Sequence, residues 1–498
     1  MPTNRPQTLS PSICSLLRLS LLNHISARTL SKVVAFTITT LVTCLVTCCL
    51  AKADTLMAGV VKRDLPNGMR LLIREQHGAP LVAIDAWVRA GSGVEEADES
   101  GCAHFLEHLL FKGTPTRKAG EIDEAIEDLG ATLGAGTTRD AVHYYTTVSS
   151  AYFKSALDVI GDALQNSQID TAEMERERSV ILDELARARN DASKQATNRL
   201  FGELLPGHRY GRAVLGDPES IKSLPRDKVY SFYRRWYVPQ NITLVVVGDV
   251  TPDEAERAAV TVFGKWASEK LPVQDMNFAL LPTTVQPNAR DAKAITQPSP
   301  AVPAGKQHLY SAFLVEPFAD FASSAAAKLT VTLLGDIEIG RIAKAIRDSE
   351  GVIANSSTNR SPRASTLVLD PLVVSGDFAY LTGPSLAVLA AQTTPARSES
   401  VQKLILEEVE RLRREPPRAD EMELARRRII GPYLYDIETY AGQARALGTY
   451  AVLGDYAVSQ RYIDILNSVK PADITAFAQK YFTPERRANL ILNPNTKQ

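Results

Sequence analysis

Cysteine is nearly missing from the body of this 498-residue chain. Four of its five cysteines, Cys14, Cys44, Cys48 and Cys49, crowd into the first 53 residues, and only Cys102 lies beyond them. One thiol cannot form an internal disulfide, which excludes a disulfide-stapled scaffold and leaves Cys102 as a small apolar side chain. An excess of one charge is missing too. The 56 Lys and Arg stand against 57 Asp and Glu, so no global basic field draws the protein to nucleic acid. No phosphate-cradling glycine loop, Gly-x-Ser-x-Gly elbow or Cys–His nucleophile pattern is found. The 45% hydrophobic content excludes a largely disordered chain, and the length calls for more than one domain.

What is present begins with the leader. Residues 1–53 hold three Arg, two Lys and no acid, so the remaining chain carries about six net negative charges. Arg5, Arg18, Arg28 and Lys32 precede an apolar-to-neutral run of 18 residues from Val33 to Leu50, and Ala51-Lys52-Ala53 follows with small residues. Basic, apolar, then small is the order of a secretory signal. Five Thr dilute the run as a permanent span. The expectation is a signal peptide over 1–53 and an exported chain from Asp54, in a bacterial periplasm; the alternative is an uncleaved membrane anchor.

The remainder contains an internal echo. Phe232 to Pro239 leads into the apolar run Ile242–Val247, and Phe477 to Pro484 leads into Asn489–Leu492, at an offset of 245 residues. Each is preceded by a Pro-x-Asp helix start, Pro225/Asp227 and Pro471/Asp473. Two structurally similar halves follow from this, each closing with a helix, a proline turn and a strand. Helical periodicity falls at Glu99–Phe111, Glu121–Leu129, Tyr152–Asn166 and Thr171–Arg189. Strand patterns fall at Gly68–Arg74, Pro80–Arg89 and Ala141–Ser149. The mixture without regular alternation predicts an α+β fold with mostly antiparallel sheets. The predicted division is a first α+β domain over 54–270, a Pro/Ala/Thr-rich linker over 271–306 with a short strand near Phe278, and a second over 307–498.

The chemistry concentrates in Gly101-Cys-Ala-His104-Phe-Leu-Glu107-His108-Leu-Leu-Phe111. His104 and His108, four apart on a helix, stack on one face where two imidazoles can share a metal ion. Glu107 stands 100° round from His108, beside the metal without being forced to ligate it, the place for a base acting on water. A surface helix with two solvated histidines is the plainer alternative. Zinc needs a third protein ligand. The acid-rich helix 171–189 offers Glu177 and Glu184, two turns apart, with Val180 and Ile181 between them on a face expected to turn inward. Spacing does not rank the two carboxylates.

The run from Gly91 to Thr114, with Glu175-Arg-Glu-Arg-Ser-Val-Ile-Leu-Asp-Glu184 and the strand end Gly248-Asp249, closely resembles the pitrilysin/insulinase family of zinc peptidases. The half-length form, similar to mitochondrial processing peptidase and its bacterial relatives, fits best. The resemblance implies His104, His108 and Glu184 as ligands of one zinc ion, Glu107 as the base, and Glu177 as a supporting acid near the metal. It also implies two α+β domains that form half of a clam-like chamber. Where the family commonly has Asn-Ala in the strand that pairs with substrate, this chain has Gly134-Ala135, taken as substrate-binding through their backbone. Active relatives also use an Arg and a Tyr from the second domain. The matching region 351–363 holds Arg360 and Arg363 without a nearby Tyr. A homologous zinc-less subunit supplying that pair, or a homodimer, is therefore the expected partner, with peptides as substrate and no nucleic acid. The rival reading is a non-catalytic core subunit of the same fold.

Other residues read as structural. His143 could orient substrate but sits in a strand; His77 lies in a turn; the aromatic cluster Tyr230–Tyr237 reads as packing. Tyr433, Tyr435, Tyr440 and Tyr450 form a looser cluster that either lines a chamber or packs.

Overall fold

A computed structural model describes residues 57–267, 294–317, 320–349 and 373–495. The expected signal peptide, the strand near Phe278 and the Arg360/Arg363 region lie outside the described residues.

Two mixed sheets organise the chain. The first contains β1 (Val60–Asp64), β2 (Arg70–Glu75), β3 (Leu81–Val88), β4 (Gly134–Thr137), β5 (Val142–Ser149) and β6 (Ile242–Gly248), in the order β1-β2-β6-β3-β5-β4. The second contains β7 (Ile295–Ser299), β8 (Gln307–Val315), β9 (Val374–Phe378), β10 (Ser385–Thr393) and β11 (Arg487–Pro494), in the order β7-β11-β8-β10-β9. Apart from β1, the two orders are the same. β2 runs parallel to β6, as β7 does to β11, and the other neighbours are antiparallel.

The helices of the first half are α1 (Cys102–Leu109), α2 (Glu121–Glu127), α3 (Phe153–Asn166), α4 (Thr171–Ala188), α5 (Ala192–Leu204), α6 (Pro218–Ser223), α7 (Arg226–Trp236) and α8 (Pro252–Phe263). The second half contributes α9 (Phe321–Gly335), α10 (Arg341–Ser349), α11 (Ser398–Arg414), α12 (Ala419–Asp436), α13 (Tyr440–Val452), α14 (Val458–Ser468) and α15 (Pro471–Tyr481). The sequence echo is α7 into β6 and α15 into β11, each through a 3-10 turn that starts at Pro239 or Pro484. Its aromatics pack: Phe232, Trp236 and Tyr237 are buried in the first half, and Phe477, Tyr481 and Phe482 in the second.

Strand β7 falls inside the stretch read as linker. Its pattern, Ile-Thr-Gln-Pro-Ser, contains a proline and few apolar residues, which hides it in the sequence. β7 is the outermost strand of its sheet among the described residues, the position where a residue without a backbone N–H is tolerated.

The halves interlock. Helix α5 packs against β8 and β11 of the second sheet, and α13 packs against β3 and β6 of the first. Among the Tyr cluster, Tyr433 and Tyr450 pack at a tilt against Tyr462 in the second core, whereas the Tyr440 hydroxyl reaches the backbone of Gln76 and Ala79 in the first half. Tyr435 is exposed. The site depends mainly on α1, which packs on β4 and β5, and on α4, which packs against α1.

Candidate metal centre

Helix α1 is short and needs support at both ends. Its N-cap, Gly101, has φ +95°, a left-handed conformation that suits glycine, and a Cβ there would lie 2.4 Å from Ile221 Cδ1. Gly101 offers no capping side chain, and Glu95 takes that role from outside the helix. Its carboxylate accepts from Gly101 N at 3.1 Å and from Ala103 N at 2.9 Å. Burial pushes the Glu95 carboxyl up to about 8, although these two hydrogen bonds favour its ionised form. Cys102, Ala103, Phe105, Leu106 and Leu109 turn into the core. The Tyr144 hydroxyl on β5 donates to Leu106 O at 3.2 Å and fixes α1 to the sheet. Cys102 is buried and its thiol is pushed well above the usual range by that burial, so it packs rather than reacts.

The remaining face of α1 carries His104 and His108, with ring centroids 4.8 Å apart. Opposite stands α4, started by Asp170, which accepts from Ala172 N and Glu173 N at 2.8 and 3.1 Å. Its buried stripe is Met174 and Ile181, with Glu177 and Glu184 on the stripe's edge. Val180 does not share the inward face. It lies 100° round the helix from Ile181 and is 44% exposed, which corrects the expectation from the sequence.

These elements bring the two acids to different places. Glu184 Oε2 lies 3.3 Å from His104 Nε2 and 3.6 Å from His108 Nε2, and one ligand atom from each of the three residues falls within 4.8 Å of the others. The hydrogen bond from His104 holds the Glu184 carboxyl below its usual range. Glu177 faces away from that point. Its Oε2 lies 2.9 Å from His108 Nδ1, and its Oε1 lies 3.2 Å from Lys112 Nζ. A carboxylate only accepts, so Nδ1 carries the proton and the His108 Nε2 lone pair is left for a metal.

A divalent cation fits these residues. Tetrahedral zinc with bonds of about 2.0–2.1 Å sets its ligand atoms about 3.3 Å apart, close to the two Glu184 separations. Glu107, Glu177 and Glu184 gather three carboxyl groups beside Lys112 and within the field of Lys194, and a cation among them offsets their mutual repulsion. His104 Nδ1 is buried without a hydrogen-bond partner among the described residues. It is the ring nitrogen opposite the Nε2 that faces Glu184.

Glu107 is held by a contact that the sequence did not signal: the Thr137 hydroxyl of β4 donates to its carboxylate. β4 is the outermost strand of the first sheet. Gly134 pairs with Tyr145, and a Cβ on Gly134 would lie 2.4 Å from Tyr145 Cζ. The end of the Tyr145 ring occupies the space of the missing side chain, so a side chain at 134 requires that exposed ring to turn aside. His143 lies between Trp87 and Tyr145, with centroids 4.1 and 5.1 Å away, and its Nδ1 is 3.0 Å from buried Asp85 Oδ1.

Comparison with known proteins places the chain in a family. The signature described as insulinase (peptidase family M16) matches residues 70–218, and that described as the peptidase M16 inactive domain matches residues 223–429. The chain belongs to the M16 peptidase family. An uncharacterised zinc protease of Mycobacterium leprae is 35% identical to this M16 chain over 197 residues, 40% of the chain and 44% of that protein. The mitochondrial-processing peptidase subunit beta of Bos taurus is 34% identical over 201 residues, 40% of the chain and 41% of that protein. These alignments thus span less than half of either relative. An uncharacterised zinc protease of Rickettsia bellii is 26% identical over 433 residues, 86% of the chain and 97% of its own length. Two solved structures share the fold. A Helicobacter pylori protease superposes with a TM-score of 0.75 at 20% identity, covering 88% of this chain and 99% of its own. The periplasmic protease PqqL of Escherichia coli gives 0.66 at 17% identity, covering 88% of this chain and 48% of its own. Two M16-like α+β domains are therefore present, and the family's zinc proteases mark the chain as a metallopeptidase homologue.

Proposed function

We propose that this chain is an exported zinc endopeptidase that hydrolyses peptides or unfolded segments. The observation that carries the reading is the convergence of His104, His108 and Glu184 ligand atoms within 4.8 Å, with Glu107 on the same short helix. His104, His108 and Glu184 would hold one zinc ion, which would supply a Lewis acid and make water easier to deprotonate. The chain's own residues do the rest. Glu107 takes the proton from the attacking water and hands it to the leaving amine as the C–N bond breaks. Glu177 fixes the tautomer of His108. Gly134 and Ala135 offer the backbone of an edge strand, to which an extended substrate adds as a further strand.

The leader over 1–53 supports export, and the periplasmic structural neighbour supports a bacterial periplasm. Among the described residues no helix is long and apolar enough to cross a membrane. Relatives named as a processing-peptidase subunit support a dimer in which this chain bears the zinc and a homologous subunit supplies Arg and Tyr. The test is hydrolysis of a quenched peptide library by the zinc-loaded chain and its Glu107→Gln variant. Cleavage lost by about 10²–10⁴-fold in the variant, with zinc retained, is expected. Full activity of Glu107→Gln removes the mechanism, and a chain that binds no zinc favours a non-catalytic subunit.

A further inference from the structure

The hairpin between β4 and β5 is tied down at every residue. Thr138 N donates to Ala141 O at 2.8 Å, and its hydroxyl accepts from Asp140 N and Ala141 N at 3.2 and 3.0 Å. The loop after β3 pins it from one side, with Ser92 N on Thr138 O at 3.1 Å and Gly93 N on Arg139 O at 2.7 Å. Arg139 donates to Tyr210 O at 3.0 Å while its guanidinium lies 3.7 Å from the centre of the Phe201 ring. The last tie comes from the other half of the molecule. Thr382, between β9 and β10, donates to the Asp140 carboxylate from its backbone N–H at 2.9 Å and from its hydroxyl at 2.7 Å. Tyr210, itself fully buried, donates to the same carboxylate. A buried carboxylate with these donors is fixed far more firmly than a solvated turn residue. The hairpin so fixed carries Thr137, whose hydroxyl donates to Glu107.

We infer that Thr137 is a positioning residue for Glu107, and that the second half holds Thr137 in place through Thr382 on Asp140. The inference rests on Glu107 acting as the base. It gives the zinc-less half of the chain a part in the geometry of the metal site, by a route that needs no contact with substrate. A side chain one bond-rotation away from its productive place loses rate, not substrate binding, so the effect belongs in kcat.

The test uses the full zinc-loaded chain, or its complex with a partner where cleavage needs one. Thr137→Val is expected to lower kcat about 10- to 100-fold with KM and zinc content unchanged, and Thr137→Ser to restore it to within about threefold. Thr382→Val, which keeps the backbone donor, is expected to lower kcat about 3- to 10-fold. A double-mutant cycle in Tm between Thr137→Val and Glu107→Ala is read whether or not peptide is cleaved, and its losses should miss additivity by about 1 °C or more. Unchanged kcat in Thr137→Val beside an inactive Glu107→Gln overturns the inference and spares the base. An active Glu107→Gln overturns both. Strictly additive Tm losses, or a Thr382→Val enzyme with unchanged kcat, overturn the contact and the inter-half tie respectively.

Discussion

Replacing Glu177 by Gln should weaken zinc binding without removing a ligand. The carboxylate takes the His108 Nδ1 proton at 2.9 Å on one oxygen and Lys112 Nζ at 3.2 Å on the other. Its side chain is only 12% exposed, so water cannot readily replace a lost partner. An amide has one accepting oxygen. Turned towards His108, it sets its N–H2 against the Lys112 ammonium; turned towards Lys112, it sets the N–H2 against Nδ1–H. Either way one buried donor faces another, and the His108 ring loses the anionic partner that raises the basicity of Nε2. Such a partner is worth about 10- to 100-fold in metal affinity, or about 1.4–2.7 kcal/mol. Competition of the purified chain with a chromophoric zinc chelator measures this. Glu184→Gln should lose more than Glu177→Gln, and Asp183→Asn, on the exposed side of α4, should stay within about twofold. Zinc affinity in Glu177→Gln within about twofold of the parent, or a milder loss in Glu184→Gln than in Glu177→Gln, would refute the assignment of the two acids.

Two further outcomes concern stability. Gly134→Asn should lower Tm by the equivalent of about 1 kcal/mol or less, because the Tyr145 ring end that its Cβ would meet at 2.4 Å is 40% exposed and can turn aside, and adding Tyr145→Ala should recover the loss; a loss well above about 1 kcal/mol contradicts this. Glu95 should make stability fall as pH rises. Its folded carboxyl is raised from 4.5 to about 8, so the folded state binds the proton that the unfolded state releases, and each step up through that window favours unfolding. Thermal melts across the window should show a shallower pH slope in Glu95→Gln than in the parent, and equal slopes would sink the assignment.

The sequence disclosed the site where chemistry follows a local period. His104 and His108 lie one helical turn apart, and Glu107 takes its place beside them by the same geometry. The duplicated halves were legible in a proline turn repeated 245 residues on, since helix, turn and strand leave a composition trace in each copy. Contacts between distant segments leave none. Glu177 and Glu184 are equivalent by spacing, and only their opposite partners, Lys112 with His108 Nδ1 for one and both Nε2 atoms for the other, separate them. Thr137 reaches Glu107 across 30 residues and Thr382 reaches Asp140 across 242, with no periodicity in either. Gly134 read as a lost polar contact, yet the ring that occupies the space of a side chain there belongs to the neighbouring strand. Val180 read as inward because four residues were treated as one face; a 100° step is enough to turn it to solvent.

The most direct measurement is X-ray absorption at the zinc edge on the purified, zinc-loaded chain. One zinc per chain, with two imidazole nitrogens and carboxylate or water oxygens at about 2.0–2.1 Å, is the result that His104, His108 and Glu184 predict. A bound zinc without imidazole scattering, or imidazole scattering that persists unchanged in a His104→Ala, His108→Ala variant, would contradict the centre on which the proposed peptidase depends.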